Sequence, residues 1–395
     1  MKIAFIHNEK KIGTGANYIN DLMASKLKAR GDVIKNFYPK TELMDSPVRL
    51  KGLANILFFY SLLEHRRSVA RYSIIQGTTY TPLPFLALPI PVVTHFGSTT
   101  AGFLKSVPLA NKIEPPTRSV WYALRREGVI GELNFRTRRP LRDIAEIEHY
   151  AADKATAVIA TSKNVRAELM SAGVNAKKIK VIHNAIEDYW FKTPPLPPYG
   201  DPSLIFLGRI GQDVFTYKLK GLDRLVHLYK KFPSVPKLTV CMTLDKGLKK
   251  WLKTAIPHHT VYTNLKKDLI PNVLRPMAGS ILFVPSRYEG FSLSLIEGMS
   301  QGLIPVTYPV GVAPEIIKNG RNGFVVKNQK EAIQRVRQIL DNEYLRLYMS
   351  AQAYRTAEQF KSDYMADRLH NFYRTIIKKA AAERRAKNAA MRPRA

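Results

Sequence analysis

Short apolar runs alternate with segments of helical periodicity along most of the chain. Runs such as 2–7, 91–94 and 280–284 are rich in strand-favouring residues and stop at polar residues, which is typical of buried parallel strands. After the first run, apolar residues recur at helical spacing between Ile19 and Leu27. The repeated alternation of strand and helix predicts an α/β protein built from doubly wound, Rossmann-like domains.

A proline-rich segment divides this pattern into two series. Residues 193–202 carry too many prolines for a helix or a central strand, and we expect them to form a stiff connector. We therefore predict an N-terminal domain at 1–192 and a C-terminal domain at 203–362, and a length of 395 residues suits two domains. Residues 363–395 are expected to form a helix that returns to the N-terminal domain, followed by a basic tail.

Net charge is the most pronounced feature of the composition. The chain has 62 lysines and arginines against 31 aspartates and glutamates, which is a net charge of +31. Such an excess indicates an anionic partner, which is a membrane leaflet, a nucleic acid or an acidic polymer. Charge alone does not choose among these three.

The single cysteine, Cys241, lies in an apolar run and is expected in a buried strand. Neither a disulfide framework nor a thiolate metal site is then available, and this composition fits the cytosol. The longest apolar stretch, 82–93, is interrupted by four prolines, so we expect no membrane-spanning helix. The apolar start of the chain turns polar after His7, so we interpret it as a first strand and not as a secretory leader.

The stretch 284–302 contains the densest candidate chemistry. Its predicted strand is followed by a turn, and helical spacing resumes after Phe291, so the first amides of that helix are unpaired and attract an anion. Glu289 and Glu297, with seven residues between them, supply acceptors for hydroxyl groups. A ligand that combines hydroxyl groups with a diphosphate, such as a nucleotide sugar, fits both features. The local alternatives are a capping box formed by Ser294 and Glu297, and a solvated loop carboxylate at Glu289.

The Glu-x7-Glu spacing, the preceding Pro285-Ser286, the Glu-Gly-Phe start and the following Gly302 resemble the retaining glycosyltransferases of glycosyltransferase family 4. The resemblance extends over most of the chain and implies the GT-B fold, in which two Rossmann-like domains face each other across a cleft. It also implies a hexosyltransferase that moves a sugar from a nucleotide-sugar donor to an acceptor hydroxyl with retention of configuration. In that reaction the departing phosphate takes the acceptor proton on the same face, so catalysis rests on positioning and charge stabilisation.

The resemblance assigns roles to residues of the C-terminal domain. Glu297 would hold the ribose hydroxyls, while the donor sugar would be held by Glu289 and the amides of Gly290, Phe291 and Ser292. A second group, Arg209 and Lys220, would neutralise the diphosphate, with Lys218 as a possible substitute for Lys220. Without the resemblance, these cations near a strand end would be ordinary surface residues.

Two residues of the N-terminal domain complete the implied site. Gly15 lies in a glycine-containing loop that would border the diphosphate, and His95 would contact the donor sugar. The acidic neighbour that the family carries beside this histidine is replaced by Phe96. A plain turn at Gly15 and a structural histidine at position 95 are the local alternatives.

Metal binding is not expected, because the chain contains no Asp-x-Asp of the kind that holds a metal beside nucleotide sugars. No cofactor is expected either, since the nucleotide sugar is a substrate.

Aromatic and basic residues are interleaved between positions 115 and 143. Aromatic rings favour the bilayer interface and arginines pair with lipid phosphates, so this pattern indicates an anionic membrane surface. The predicted membrane or acceptor surface comprises Arg66, Arg67, Trp121, Arg125, Arg126, Arg136, Arg138 and Arg139. The alternative is that Trp121 belongs to the core and that the arginines form a solvated face.

These observations favour a peripheral glycosyltransferase on the cytoplasmic face of a membrane, with a lipid-linked or surface-polysaccharide intermediate as acceptor. One alternative is a soluble GT-B synthase or phosphorylase that acts on small sugars. A basic nucleic-acid-binding protein is another, but no recognition module is found, so nucleic acid is not expected as a partner. The sequence does not specify the base, the sugar or the acceptor.

Overall fold

The structure is a computed structural model that describes residues 1–9, 15–40, 53–133, 138–198 and 200–390. The strands are β1 (Lys2–Ile6), β2 (Val33–Phe37), β3 (Ile74–Thr78), β4 (Val92–Phe96), β5 (Ala157–Ala160), β6 (Ile179–Val181), β7 (Leu204–Gly208), β8 (Lys237–Cys241), β9 (His259–Thr263), β10 (Ile281–Val284), β11 (Ile304–Thr307) and β12 (Phe324–Val325). The helices are α1 (Gly15–Ala29), α2 (Leu53–Leu63), α3 (Arg66–Val69), α4 (Thr100–Ser106), α5 (Pro115–Arg126), α6 (Arg138–Lys154), α7 (Lys163–Ser171), α8 (Val214–Leu219), α9 (Leu222–Lys230), α10 (Lys246–Ala255), α11 (Ile270–Leu274), α12 (Leu293–Met299), α13 (Ala313–Ile316), α14 (Gln329–Leu340), α15 (Glu343–Ala357) and α16 (Ser362–Ala390).

The chain divides into two compact units. Unit 1 comprises Met1–Thr99, Asp143–Ala185 and Ser362–Ala395, whereas unit 2 comprises Thr100–Arg142 and Ile186–Lys361. The long helix α16 belongs to unit 1, although it is separated in sequence from the rest of that unit by the whole of residues 186–361.

Unit 1 contains a parallel sheet in the order β2-β1-β3-β4-β5-β6. All five residues of β4, Val92–Phe96, are buried, since this strand lies between β3 and β5. Parallel strands that are covered on both faces need apolar residues at nearly every position, which is the pattern that the sequence shows. On α16, Leu369 and Tyr373 are buried, and the Tyr373 hydroxyl donates a hydrogen bond to the Gln76 side chain of β3.

Unit 2 contains a second parallel sheet, in the order β12-β11-β10-β7-β8-β9. One apolar cluster includes residues of α5, α9, α10 and α14, with Trp121 and Leu225 fully buried. A second cluster includes residues of α11, α12 and α15, with Leu274 and Ile296 fully buried. The two sheets with their flanking helices confirm the predicted fold class of two doubly wound, Rossmann-like α/β domains.

The units depart from the predicted domain limits at residues 100–142, which were expected in the N-terminal domain but pack with unit 2. The physical reason lies in α5, where Val120, Trp121 and Leu124 are buried in the same apolar cluster as Leu225 and Tyr229 of α9. The free energy gained by burying apolar area is therefore the reason why this segment packs with unit 2. The second stretch of unit 2 also begins before the proline-rich connector, at Ile186.

Within the residues that the structure describes, no helix is both long and apolar enough to cross a bilayer.

Candidate functional site

The turn between β10 and α12 forms the centre of the candidate site in unit 2. After β10 ends at Val284, the chain reaches Ser292, which precedes α12 in a left-handed backbone conformation with φ of 79°. Such a conformation is uncommon for a residue other than glycine and costs free energy, so it persists only where its surroundings enforce it. The backbone N–H of Val312 donates to the Phe291 oxygen at 3.0 Å, and Gly311 permits this close approach, because a Cβ atom there would lie 2.5 Å from that oxygen.

The side chain of Ser292 is buried and forms no cap for α12. Its Oγ atom has no hydrogen-bond partner among the described residues, although it is shielded from solvent. A buried hydroxyl without a partner costs free energy unless a ligand or water satisfies it. The helix itself has only 7 residues, so its dipole adds little and an anion here depends mainly on nearby cations.

Glu289 and Lys220 meet in this corner. The Lys220 ammonium donates to Glu289 Oε1 at 2.6 Å, and the Ser286 hydroxyl donates to the same oxygen at 2.7 Å. The two ionic side chains are 23% and 14% exposed, so the pair is accessible from solvent without being fully hydrated. Glu289 is therefore a positioned carboxylate and not the solvated loop residue of the local alternative.

Lys218, the possible substitute for Lys220, has a different role. Its side chain is completely buried and its ammonium donates to the backbone oxygens of Pro108, at 3.1 Å, and Leu133. A buried lysine must be compensated by hydrogen bonds, and these carbonyls provide that compensation. Lys218 thus anchors the 100–133 segment to unit 2 and is not exposed for binding a phosphate.

Arg209 lies at the carboxyl end of β7, directly after Gly208. The side chain of Arg209 is exposed, and no hydrogen bond or ion pair of it is found in the part of the chain that the structure describes. A Cβ atom at Gly208 would lie 3.8 Å from Ser294 Oγ, so the end of β7 is next to the first turn of α12. The structure therefore brings Arg209, Lys220, Glu289 and the turn before α12 to one edge of the sheet, where parallel α/β sheets bind ligands.

Glu297 is buried on α12 and belongs to an ionic network. Lys267 lies 3.1 Å from Glu297 Oε1 and 2.6 Å from Glu187 Oε1, and Glu187 also accepts a hydrogen bond from the Trp190 indole at 3.2 Å. The capping-box alternative is wrong, because Ser294 lies inside the helix and the Glu297 carboxylate pairs with Lys267 instead.

Burial raises the pKa of Glu297, and the ammonium of Lys267 opposes that rise. Burial alone would lower the pKa of Lys267, but its two carboxylate neighbours outweigh burial and raise it. The lysine therefore stays charged and favours the ionised form of Glu297. Neither Lys267 nor Glu187 was among the predicted site residues. The pair Lys266-Lys267, which is separated from the end of β9 by two residues, was a weak signal for Lys267, whereas nothing in the sequence marked Glu187.

His95 and Gly15 belong to unit 1. His95 lies in β4 and is buried, with the Asn184 side chain as a polar neighbour. Burial lowers the pKa of His95 to about 4, so the imidazole is neutral at physiological pH. Gly15 is the first residue of α1, while residues 10–14 of its loop are outside the described residues. The roles predicted for these two residues stay predictions.

The predicted membrane surface is only partly exposed. The prediction that Trp121 lies on this surface is wrong, because its side chain is completely buried among the apolar side chains of unit 2. Arg125 and Arg126 lie on the exposed side of α5 together with Tyr122, and Arg66 and Arg67 are exposed on α3. Arg138 and Arg139 are in the first turn of α6, and Arg136 lies outside the described residues.

Among the described residues, no group of three or more histidine, cysteine, aspartate or glutamate side chains could hold a metal ion. Cys241 is buried in β8, as predicted, and burial raises its pKa to about 12, so its thiol is inert. The absence of a metal in the reaction stays a prediction.

Two family models match the chain in succession. The family described as "Glycosyltransferase Family 4" matches residues 38–188, and the family described as "Glycosyl transferases group 1" matches residues 195–356. Together they span most of both units.

Individual proteins are similar at low sequence identity. Alpha-maltose-1-phosphate synthase of Mycolicibacterium smegmatis is 22% identical over 271 residues, which are 58% of this chain and 66% of that protein. The alignments with curated relatives span about half to two thirds of those relatives.

Solved structures share the fold over nearly the whole chain. Sucrose-phosphate synthase from Thermosynechococcus elongatus superposes with a TM-score of 0.72 at 15% identity and covers 96% of this chain and 99% of its own. Anabaena HepE in complex with UDP-glucose superposes with a TM-score of 0.67 at 16% identity, over 95% of this chain and 100% of its own. At these identities the structures show the GT-B fold.

Proposed function

This chain belongs to the glycosyltransferases of family 4, and we propose that it transfers a hexosyl group from a nucleotide sugar to an acceptor hydroxyl with retention of configuration. The observation that carries the proposal is the corner of unit 2 where the Lys220–Glu289 ion pair lies beside the turn that holds Ser292. Cation, carboxylate and an unpartnered hydroxyl are the groups that a diphosphate joined to a sugar requires.

In the proposed donor complex, the diphosphate lies between Arg209 and Lys220. A phosphate oxygen there competes with Glu289 for the Lys220 ammonium, which frees Glu289 to accept hydrogen bonds from sugar hydroxyls. Ser292 Oγ donates to the same anion, which satisfies the atom that is otherwise buried without a partner. Glu297 accepts hydrogen bonds from the ribose hydroxyls, and the Lys267 ammonium at 3.1 Å favours its ionised form.

The chemistry follows from this arrangement. Negative charge develops on the departing diphosphate as the glycosidic bond breaks, and Arg209 and Lys220 stabilise that charge. The same departing oxygen accepts the proton of the incoming hydroxyl, so no side-chain nucleophile and no metal is required. His95, whose pKa is lowered by burial, remains neutral and serves as a hydrogen-bonding partner of the sugar and not as a proton donor.

The donor is tested by measuring thermal stabilisation with a panel of UDP-, GDP- and ADP-sugars. A ligand that binds only the folded state raises the melting temperature in proportion to the logarithm of its concentration over Kd. UDP-glucose comes first in the panel, because a protein of the same fold binds it. The preferred donor is then incubated with the enzyme, and the configuration of the transferred sugar is determined by NMR. Absence of stabilisation by every nucleotide sugar, or inversion at the anomeric carbon, would contradict the proposal.

For the acceptor, we propose a lipid-linked or surface-polysaccharide intermediate that is reached at the cytoplasmic face of a membrane. The support comes from helix α2 of unit 1, on which Ile56, Tyr60 and Leu63 are 66%, 57% and 41% exposed at spacings of four and three residues. They form one apolar stripe, and Arg66 and Arg67 follow it directly. Exposed apolar side chains beside arginines suit an anionic leaflet.

The alternative is a soluble synthase that acts on small sugars, and the names of two similar proteins, alpha-maltose-1-phosphate synthase and sucrose-phosphate synthase, favour it. Product analysis separates the two. Transfer to a water-soluble sugar phosphate at a rate that vesicles do not change supports the synthase, whereas transfer only to an amphiphilic acceptor supports the membrane enzyme. Family membership gives the nucleic-acid alternative no support.

A further inference from the structure

A pocket lies in unit 2 beside the candidate donor site. It has a volume of about 390 Å³, which suits a small ligand such as a sugar phosphate. We call it the α5–α14 pocket, because Glu114 immediately before α5 and Lys327 just before α14 both line it. Ser286 lines this pocket while its hydroxyl donates to Glu289 at 2.7 Å, so the pocket is adjacent to the candidate donor site.

The lining of the pocket carries more positive than negative charge. It includes the cations Lys112, Arg224, Arg287 and Lys327 but only one carboxylate, that of Glu114. Helices α5 and α14 are each 12 residues long and begin at the pocket, so the positive ends of both helix dipoles add to the same field. Like charges gathered in a concave site focus the potential and attract an anion.

The two arginines are held in place by neighbours. Arg224 donates two hydrogen bonds to Glu114 Oε1, and its guanidinium lies 3.8 Å from the centre of the Tyr308 ring. Arg287 pairs with both carboxylate oxygens of the buried Asp223 at 2.7 Å. Burial opposes ionisation of Asp223, but Arg287 lowers its pKa, so both members of this pair are charged. The arginines therefore form a rigid wall in which each positive charge is balanced by a carboxylate partner.

The two lysines differ from the arginines. Lys112 and Lys327 are exposed, and no hydrogen bond or ion pair of either ammonium group is found within the described ranges. They come from segments 215 residues apart in the sequence, yet they line one pocket. A ligand with several anionic oxygens would pair with both lysines at once, while Ser106 offers a hydroxyl group.

We propose that the α5–α14 pocket binds a phosphoryl group, in addition to the diphosphate of the donor. Lys112 and Lys327 contact the phosphoryl oxygens and supply the net positive charge, while the paired Arg224 and Arg287 form the rigid wall behind them. The Tyr308 ring and Pro309 provide a wall for the rest of the ligand. The proposal goes beyond sugar transfer, because the site would bind a phosphoryl compound even if the donor assignment failed.

Equilibrium dialysis of the full chain with radiolabelled inorganic phosphate tests this site directly. The pocket variant is Lys112→Ser with Lys327→Ser. The matched control is Lys250→Ser with Lys253→Ser, which removes two exposed lysines from α10, outside the pocket. The donor-site variant is Arg209→Ser with Lys220→Ser. We expect the pocket variant to bind phosphate about tenfold or more weakly, because it loses two charge-assisted contacts.

The control should bind phosphate as the unmodified protein does, and the donor-site variant should retain a phosphate site. If the pocket variant and the unmodified protein bind phosphate with equal affinity, the proposal is overturned. The proposal is also overturned if the pocket variant and the control lose the same affinity for phosphate, because the loss would then reflect only the change in net charge. Circular dichroism establishes that each variant is folded.

Competition identifies the source of the phosphoryl group. Glucose 6-phosphate represents a free sugar phosphate, and geranyl diphosphate represents a short, water-soluble analogue of a lipid-linked acceptor. If either compound displaces labelled phosphate from the unmodified protein and from the donor-site variant, but not from the pocket variant, the site is supported. The compound that displaces phosphate then identifies the ligand class.

Discussion

At the scale of single residues, the candidate site depends on a few side chains whose surroundings define what they can do. Lys218 and Lys220 are two positions apart, yet the first is buried on backbone carbonyls and the second pairs with Glu289 near the surface. Likewise, Glu297 would be an ordinary helix residue without Lys267. Burial and partners, more than residue type, therefore separate binding residues from structural ones.

Replacement of Glu297 by Gln is expected to weaken donor binding. The substitution keeps the size of the side chain but removes the charge from its proposed hydrogen bonds with the ribose, so affinity should fall by about 1.5 to 3 kcal/mol. Calorimetric titration with the preferred nucleotide measures the change. Glu343→Gln, at a carboxylate that is 73% exposed on α15, is the control and should leave affinity unchanged. Unaltered affinity in the Glu297 variant would exclude the ribose role.

Replacement of Lys267 by Met is expected to make nucleotide binding sensitive to acid. Burial already raises the pKa of Glu297 and Lys267 opposes the rise, so without the lysine this pKa climbs further. The carboxylate then becomes protonated at a higher pH, and affinity should decline at a higher pH than in the unmodified protein as the solution is acidified.

Fluorescence or calorimetric titrations over a pH series check this expectation. Lys267→Arg, which keeps the charge, should restore the original profile. Since Glu187 also loses its partner, Lys267→Met combined with Glu187→Gln provides a variant with fewer unpaired buried charges. Identical pH profiles for all four proteins would show that Lys267 does not act through Glu297.

At the scale of elements, loops at the carboxyl edge of the unit 2 sheet brace one another. Gly221 precedes α9 with φ of 66°, and a Cβ atom there would lie 2.1 Å from the backbone oxygen of Pro285. Gly311 braces Phe291 in the same way. These close backbone contacts hold the turn between β10 and α12, which carries Glu289 and Ser292, in its strained conformation.

Replacement of Gly221 by Ala should therefore lower the unfolding free energy of unit 2 by more than the positive φ of this residue alone would cause. Gly128→Ala is the matched control, because Gly128 has a similar φ of 69° but nothing within 4 Å of its Cβ position. The control should lose about 1 kcal/mol of unfolding free energy from the left-handed conformation, and the Gly221 variant about 1 to 3 kcal/mol more from the contact with Pro285. Urea denaturation measures both, and equal losses would contradict the bracing.

At the scale of the whole molecule, the excess of positive charge is spread over both units, and so its consequences depend on where cations gather. Trp121, the aromatic residue expected at a membrane surface, instead belongs to the core of unit 2. The exposed apolar stripe lies on α2 of unit 1, beside Arg66 and Arg67. Clusters of this kind, and not net charge, determine whether a leaflet is bound, since each arginine acts only within about 8 Å at physiological salt.

Vesicle binding is expected to require the α2 stripe and anionic lipid. Replacement of Arg66 and Arg67 by Ser should weaken vesicle binding by about 2 kcal/mol, which is a roughly thirtyfold loss of affinity. Replacement of Ile56, Tyr60 and Leu63 by Ser should also weaken binding. The matched control replaces Tyr344, Leu347 and Tyr348, which are 87%, 38% and 49% exposed on α15 of unit 2. Sedimentation with vesicles of varied anionic content measures the effect.

Arg125 and Arg126 on α5 form a second candidate set in the same assay. Binding that is indifferent to anionic lipid and to both sets of arginines would discard the membrane proposal. Equal losses in the α2 variant and the α15 control would also discard a specific role for α2.

The sequence by itself determined the alternation of strands and helices, the two-domain α/β class and the segment that carries Glu289 and Glu297. These follow from local periodicity, from turn residues and from a motif, all of which are written within a few neighbouring positions. The helix from Ser362 was likewise visible as a pattern, and its membership of unit 1 was expected.

Only the tertiary structure decided that residues 100–142 pack with unit 2 and that Trp121 lies in the core. It also decided that Lys220, and not Lys218, pairs with Glu289. In the same way, only the structure showed that Lys267 pairs with both Glu187 and Glu297. Each of these depends on contacts between segments that are far apart in the chain. Helical spacing predicts that one face of α5 is apolar. It does not predict the partner of that face, because the partner is the surface with which α5 forms a close-packed core. Ion pairs such as Lys267 with Glu297 form only after the fold has brought both groups out of water together.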